Sequence, residues 1–186
     1  SVFLPRRRSV LAALSMLGVV GAARAQHAAS AAPAAVRPDY RLEFPRDHGS
    51  HPEYRIEWWY ATGWLDGTGQ PDTGFQITFF RARPRLKPGN PSRFSPEQVI
   101  IAHAAIADAR HGKLIHAQRA AREGFGLAGS TRGNTRVWLD DWQFARDGEV
   151  YRAHIVAPEF ALALVLAPTQ AVLLQGKTGK GHRFEV

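Results

Sequence analysis

The run Glu57-Trp58-Trp59-Tyr60 combines a carboxylate with three aromatic residues, and this combination suggests chemistry. Burial among aromatic side chains disfavours a charged carboxylate, so it raises the pKa and favours the protonated acid. Such an acid can protonate an alkene, and tryptophan rings can stabilise the resulting carbocation through cation–π attraction. The alternative, which residue chemistry alone favours, is that Glu57 pairs with an arginine while the aromatic residues fill the core.

A second candidate acid lies in the pair Asp140-Asp141. Neighbouring residues of a strand point to opposite faces, so these two carboxylates cannot flank one substrate. At most one of them faces the interior. Asp140 is predicted to share its face with Trp138, Trp142 and Phe144.

Two histidines, His48 and His51, stand on either side of Gly49-Ser50. This spacing can hold a metal ion, with Asp47 or Glu53 as a further ligand. The alternative is that both imidazoles hydrogen-bond within a tight loop at the mouth of a β fold. We favour the loop interpretation and predict neither a metal nor another cofactor.

Short alternating apolar runs separated by Gly, Pro, Asp and Asn predict an all-β, antiparallel sandwich or barrel. The chain contains no cysteine, which excludes disulfides, thiolate metal sites and a thiol nucleophile. The hairpin signal Asp147-Gly148 is the strongest one. Strands are predicted over Arg55–Leu65, Gly74–Arg83, Val99–Asp108, Lys113–Arg122, Arg136–Arg146, Val150–Ala157, Phe160–Ala167 and Ala171–Gln175.

The alternation also predicts faces. In 56–65 one face carries Ile56, Trp58, Tyr60, Thr62 and Trp64, and the other carries Glu57, Trp59, Ala61, Gly63 and Leu65. The run 160–166 has no polar face, which predicts a barrel wall covered on both sides. His103 and His116 lie in separate predicted strands and can meet only through the fold; we favour the interpretation that each is a hydrogen-bonded residue of the barrel wall.

The run Gly124-Phe125-Gly126-Leu127-Ala128-Gly129 matches a dinucleotide-binding pattern, but no strand–helix unit surrounds it. We predict a glycine-rich turn there.

The N-terminal segment 1–25 has the form of an export signal: three arginines at 6–8, an apolar run and the small-residue site Ala23-Arg24-Ala25. Arg7-Arg8-Ser9-Val10-Leu11 also fits the twin-arginine form, which predicts a periplasmic or secreted protein. The apolar run is too short for a transmembrane span. Removing this segment lowers the formal charge from +8 to +4, which argues against a nucleic-acid partner. An Ala/Pro-rich linker is predicted over 26–39.

The stretch from Pro45 to Leu65, centred on the Glu-Trp-Trp-Tyr block, closely resembles the opening signature of the carotenoid 1,2-hydratase (hydroxyneurosporene synthase) superfamily. This superfamily includes lipocalin-like secreted proteins encoded beside ABC transporters. Similarity continues through four later blocks, Gly74–Arg81, Ala102–Asp108, Val137–Trp142 and Leu174–Gly176. The resemblance implies two successive lipocalin-like β-barrels, of which residues 40–186 would form the first and would end in a truncated tail.

The resemblance implies an apolar ligand, a carotenoid or another lipid, and two hypotheses about what is done with it. In the first, Glu57 or Asp140 protonates a C=C bond and water adds to the cation, without any cofactor. In the second, a non-catalytic protein holds the molecule for a neighbouring ABC transporter. The residues expected to contact the ligand are Trp58, Trp59, Tyr60, Gln76, His103, Trp138 and Trp142.

Overall fold

The structure, a computed structural model, describes residues 32–37, 39–67, 70–85, 95–174 and 184–185. The predicted signal segment 1–25, part of the predicted linker and most of the tail after Leu174 lie outside the described residues. Strands dominate, and the helical elements in the described ranges are two 3-10 turns, Arg46–His48 and Ala109–His111. None of the described helices is long and apolar enough to cross a membrane.

Two antiparallel sheets are built in chain order, each strand pairing with the next. The first sheet contains β1 (Ile56–Gly67), β2 (Gln70–Ala82), β3 (Val99–Asp108) and β4 (Lys113–Arg122). The second contains β5 (Ala128–Ser130), β6 (Arg136–Leu139), β7 (Trp142–Asp147), β8 (Val150–Val156) and β9 (Ala161–Leu166). A short pair, β10 (Leu173–Leu174) and β11 (Phe184–Glu185), stands apart from both sheets.

Within the described residues one hydrophobic core fills the space between the two sheets. The first sheet contributes large side chains such as Phe79 and Ile100, and the second contributes Trp142 and Ile155, all fully buried. The alternation predicted for 56–65 is confirmed, because its Trp58 face is exposed and its Trp59 face is partly buried against this core. The interior of a small β-barrel can be filled by side chains or can hold a ligand. In the described residues it is filled by side chains.

The prediction of an all-β, antiparallel, lipocalin-like fold is confirmed. Within the described residues the strands form two open sheets, because the hydrogen-bonded order ends at β4 and begins again at β5. The interruption has a local cause. Gly124, Phe125 and Gly126 have φ values of 122°, 57° and 75°, a left-handed run that turns the chain out of β4. The predicted glycine-rich turn is therefore present and separates the two sheets.

Two predictions about strands are wrong. The range 136–146 is a hairpin, β6 and β7, rather than one strand, since Leu139 pairs with Trp142 across the turn Asp140-Asp141. The run 160–166 is covered on one side only, because Leu162 is buried in the core while Val165 is 60% exposed on the outer side. By contrast, the Asp147-Gly148 hairpin forms as predicted, with Gly148 at φ 58° between paired Asp147 and Val150.

Candidate functional site

Five charged side chains form a continuous ionic chain next to the loop that precedes β1. The loop supplies Arg46, Asp47 and His51, while β1 supplies Glu57 and β2 supplies Arg81. Arg46 Nε lies 2.8 Å from Asp47 Oδ1, and the same oxygen lies 3.1 Å from His51 Nε2. His51 Nδ1 is 3.1 Å from Glu57 Oε1, and Arg81 Nε is 2.7 Å from Glu57 Oε2. Positive and negative groups therefore alternate along the whole chain of contacts.

The buried end of the ionic chain is saturated with hydrogen bonds. The side chain of Arg81 is fully buried, and its guanidinium also donates to Gln98 Oε1 at 2.7 Å and to the carbonyls of His51 and Tyr54. The backbone N–H of His51 donates to Glu57 Oε2 at 2.7 Å. A buried charge is tolerated only when it is paired and hydrogen-bonded in this way. The contacts tie the loop before β1 to the first sheet.

The electrostatics of the ionic chain keep Glu57 ionised. Burial disfavours the carboxylate and would raise its pKa, but hydrogen bonds from His51 and Arg81 outweigh burial and leave the pKa below its usual value. The same pairing with Glu57, opposed by burial and supported by Asp47, raises the pKa of His51 to about 9. The pKa of Asp47 lies well below its usual range because hydrogen bonds, first from Arg46, exceed the effect of its burial.

The hypothesis of a protonated Glu57 does not match these contacts, whereas the interpretation that residue chemistry favoured, a Glu57 paired with an arginine, is what the structure contains. Both oxygens of Glu57 and both ring nitrogens of His51 are already engaged. The geometry suits a positioning role for the ionic chain. A direct catalytic role for Glu57 stays a prediction.

His48 and His51 do not converge on a common point. The ring of His48 approaches Tyr151 of β8, with 3.4 Å between Nδ1 and the phenol oxygen, whereas the ring of His51 lies between two carboxylates. The carbonyl of His48 accepts from Thr135 Oγ1 at 2.8 Å and from the indole N–H of Trp59. No group of three or more potential metal ligands occurs in the described part of the chain. The ring of His51 is thus held by carboxylates of its own loop and of β1, whereas the ring of His48 contacts the second sheet.

Asp140 does not share a face with the tryptophans as expected. It occupies the β6–β7 turn with φ 57°, and its side chain is 69% exposed. Arg119 pairs with both turn carboxylates, at 3.5 Å from Asp140 and closer to Asp141. Asp140 is therefore an exposed turn residue paired with an arginine, and it is not a carboxyl group enclosed by aromatic side chains.

The expected ligand contacts divide into two groups. Trp58, Tyr60, Gln76 and His103 all lie on the outward side of β1–β4, which we call the outer face. Backbone pairing arranges the outer face in rows across the sheet: Trp58, Phe80 and Ile101; Tyr60, Thr78, His103 and Gln118; Thr62, Gln76, Ala105 and His116; Trp64, Gly74, Ala107 and Leu114.

The other three tryptophans lie elsewhere. Trp59 points inward and is partly buried against the core. Trp142 is fully buried in the core, donates its indole N–H to the Val156 carbonyl at 2.7 Å and carries Arg119 over its ring. Trp138 donates to the Gly126 carbonyl from β6 in the second sheet. Trp138 and Trp142 therefore lie away from the outer face, because β6 and β7 belong to the other sheet, and their contact with a ligand stays a prediction.

Sequence reasoning missed Arg81 and Gln98. A signal for Arg81 was present, since it continues the apolar alternation Phe75, Ile77, Phe79 and so occupies an inward position of β2. A charge at an inward position requires a buried partner, which pointed to a carboxylate on a neighbouring strand. Gln98 precedes β3 and carried no such signal.

Comparison with known proteins places the chain in a family. The AttH-like family model matches residues 35–184. The crystal structure of a candidate AttH protein from Nitrosomonas europaea is 48% identical, with a TM-score of 0.68, over 77% of this chain and 43% of that chain. This chain thus spans less than half the length of that structure. No curated protein matches. The chain belongs to the AttH-like family, which is related to the lipocalin-like carotenoid hydratases.

Proposed function

We propose that this protein binds an apolar small molecule, a polyene or another lipid, on the outer face of its first sheet. The observation that carries the proposal is the row of exposed large side chains along β1. Trp58 is 52% exposed and Trp64 78%, and Ile56 and Tyr60 on the same face are also exposed. A contiguous apolar patch that is exposed on a protein surface often marks a binding site. The filled core supports a ligand outside rather than between the sheets.

Binding is better supported than hydration of a C=C bond. Hydration by the proposed route needs a protonated acid beside the alkene. Glu57 is an ion-paired carboxylate and Asp140 is an exposed turn residue, so neither is suited to donate that proton. The tryptophan rings on the outer face can still contact the π system of a polyene.

The cellular location of the protein and its role beside a transporter are also proposed from the sequence. The twin-arginine pattern at Arg7-Arg8 supports export to the periplasm or beyond. The resemblance to secreted lipocalin-like proteins supports a non-catalytic role that serves a neighbouring ABC transporter. In this role the protein holds the apolar molecule outside the cytoplasm and passes it on unchanged.

The test begins with the full chain, expressed with its export segment, and native mass spectrometry followed by solvent extraction of any molecule that co-purifies. Titration with a conjugated polyene is then followed by quenching of tryptophan fluorescence. We expect saturable quenching that is weakened at least fivefold in Trp58→Ala. The matched control is Trp138→Ala, which removes one tryptophan from the second sheet and is expected to bind normally. A well-folded protein that carries no lipid and takes up no polyene would overturn the proposal.

A further inference from the structure

A hollow of about 190 Å³ opens on the outer face between β2, β3 and β4. The hollow lies where a small residue, Ala105, occupies the outer face. Ala105 lies between Gln76 on β2 and His116 on β4, and the row beside it places His103 next to Gln118. The alanine side chain is much shorter than these four neighbours, so the sheet surface dips where it stands. His103 and His116, far apart in sequence, become diagonal neighbours on one face, about 7–8 Å apart between backbones.

The lining of this hollow is suited to an anion. Gln76, Gln118, His103 and His116 each carry a side-chain N–H that can donate a hydrogen bond. The lining residues include no aspartate or glutamate. A ligand carboxylate or similar monoanion only accepts hydrogen bonds. It is therefore complementary to a lining that has four hydrogen-bond donors and no acidic side chain.

Apolar and aromatic side chains surround the polar hollow. Leu114 lines it and is exposed, and Phe80 packs against the His103 ring with 5.6 Å between ring centroids. Trp58 and Trp64 lie six residues apart on β1, which corresponds to roughly 20 Å along the strand. The outer face therefore offers a polar centre beside an elongated apolar strip.

From this arrangement we infer that the ligand is an amphiphile, an apolar chain that ends in a carboxylate or comparable anion, with the anionic end in the hollow between His103 and His116. The inference rests on the proposed function and specifies its ligand class. The imidazoles and amides hold the polar end by hydrogen bonds, while the aromatic strip on β1 covers the chain. Recognition of the polar end gives the outer face a preference that apolar contact alone does not supply.

The experiment compares two fluorescent polyene probes that differ only at the polar end, cis-parinaric acid and its methyl ester, on the full chain. We expect the acid to bind about tenfold more tightly than the ester. The carboxylate of the acid can accept a charge-assisted hydrogen bond, and the ester group cannot. His116→Leu should reduce acid binding to the level of the ester and leave ester binding unchanged. Ala105→Leu, which fills the hollow without removing a donor, should have the same effect.

Matched controls keep the result specific. Ala163→Leu adds the same bulk at an exposed position of β9 in the second sheet, and His154→Leu removes an exposed histidine from β8; both should bind the acid normally. Butyrate, which has the anion without the chain, should compete only weakly. Equal binding of acid and ester by the unaltered protein would overturn the inference and leave the proposed function standing. Butyrate binding as tight as that of the acid would show a small-anion site instead. Failure of both probes to bind would overturn the proposed function as well.

Discussion

The guanidinium of Arg81 is fully buried and its Nε lies 2.7 Å from Glu57 Oε2. The two residues are 24 positions apart in sequence but almost opposite each other in the sheet, since Arg81 on β2 is the backbone partner of Glu57 on β1. The pair lies at the end of the first sheet and anchors the loop that carries His51. The hydrogen bonds from His51 together with the Arg81–Glu57 contact explain why the pKa of a carboxylate inside an aromatic strand stays below its usual value.

Removing Arg81 should destabilise the protein strongly. Arg81→Met leaves Glu57 buried with one fewer cation, and loss of one partner of a buried pair costs about 3–5 kcal/mol. The matched control is Arg152→Met, because Arg152 pairs with Asp147 at 3.5 Å in an exposed setting, where pairs contribute less than about 1 kcal/mol. Urea denaturation gives both values. Equal stability of the two variants would show that the buried pair does not hold the loop.

The free energy of unfolding should decrease with rising pH between about 6.5 and 9. The folded-state pKa of His51 is raised to about 9 by Glu57 and Asp47, above an unfolded value near 6.5. A raised pKa contributes stability that is complete below pH 6.5 and is lost as the pH rises through about 9.

His51→Gln should flatten this pH profile, whereas His154→Gln, at an exposed position of β8, should retain it. Denaturation midpoints measured at pH 6, 7.5 and 9.5 test this. A profile of His51→Gln parallel to that of the unaltered protein would assign the pH dependence to other groups.

A methyl group at Gly49 should separate the loop from the second sheet. A Cβ there would lie 2.1 Å from the backbone nitrogen of Gly133, which is an impossible contact unless the loop moves. Movement would also break the 2.8 Å hydrogen bond from Ser50 N to the Thr131 carbonyl. We expect Gly49→Ala to cost about 2–3 kcal/mol, in the range of overpacked sites.

Gly74→Ala is the control for Gly49→Ala, because the nearest atom to its added Cβ is 3.4 Å away, an ordinary contact. It should cost less than about 1 kcal/mol. Thermal unfolding followed by circular dichroism gives both values, and a Gly49→Ala midpoint as high as that of Gly74→Ala would contradict the close packing of the loop.

Asp140 should respond to substitution as a turn residue. Its φ of 57° is strained for an L residue, so Asp140→Gly should raise stability by about 0.5–1 kcal/mol, whereas Asp140→Val should lower it. Asp141→Gly, at a position without positive φ, should not stabilise. All three should bind a polyene normally. Reduced polyene binding by a well-folded Asp140→Gly variant would return Asp140 to the binding site.

Much of the first sheet could be predicted from the sequence. The bounds of β3 and β4 match the predicted ranges, and the two faces of 56–65 were assigned correctly. Period-2 alternation is a local property, and one sheet face must be covered by the core, so the pattern is visible in the residues themselves. The Asp147-Gly148 turn was visible for a similar reason, because a two-residue hairpin needs residues that tolerate positive φ.

The wrong prediction for 136–146 came from a turn that interrupts an apolar pattern. Asp140-Asp141 lacks glycine and proline, so 136–146 looked like one strand and Trp138, Asp140 and Trp142 were placed on one face. In the fold the turn reverses the chain and sends Trp142 into the core while Trp138 lies outside. A positive φ at an aspartate is set by the pairing of the flanking strands, which no short sequence window contains.

The sequence by itself determined the fold class, the family resemblance and the alternation that places Trp58, Tyr60 and Trp64 on one face of β1. Only the tertiary structure decided which charges and polar groups meet. The pairing of Glu57 with Arg81, its bridge through His51 to Asp47, and the adjacency of His103 and His116 depend on strand register and on a loop folding back. Electrostatic energy depends on distance and burial, and both are fixed when distant segments pack together.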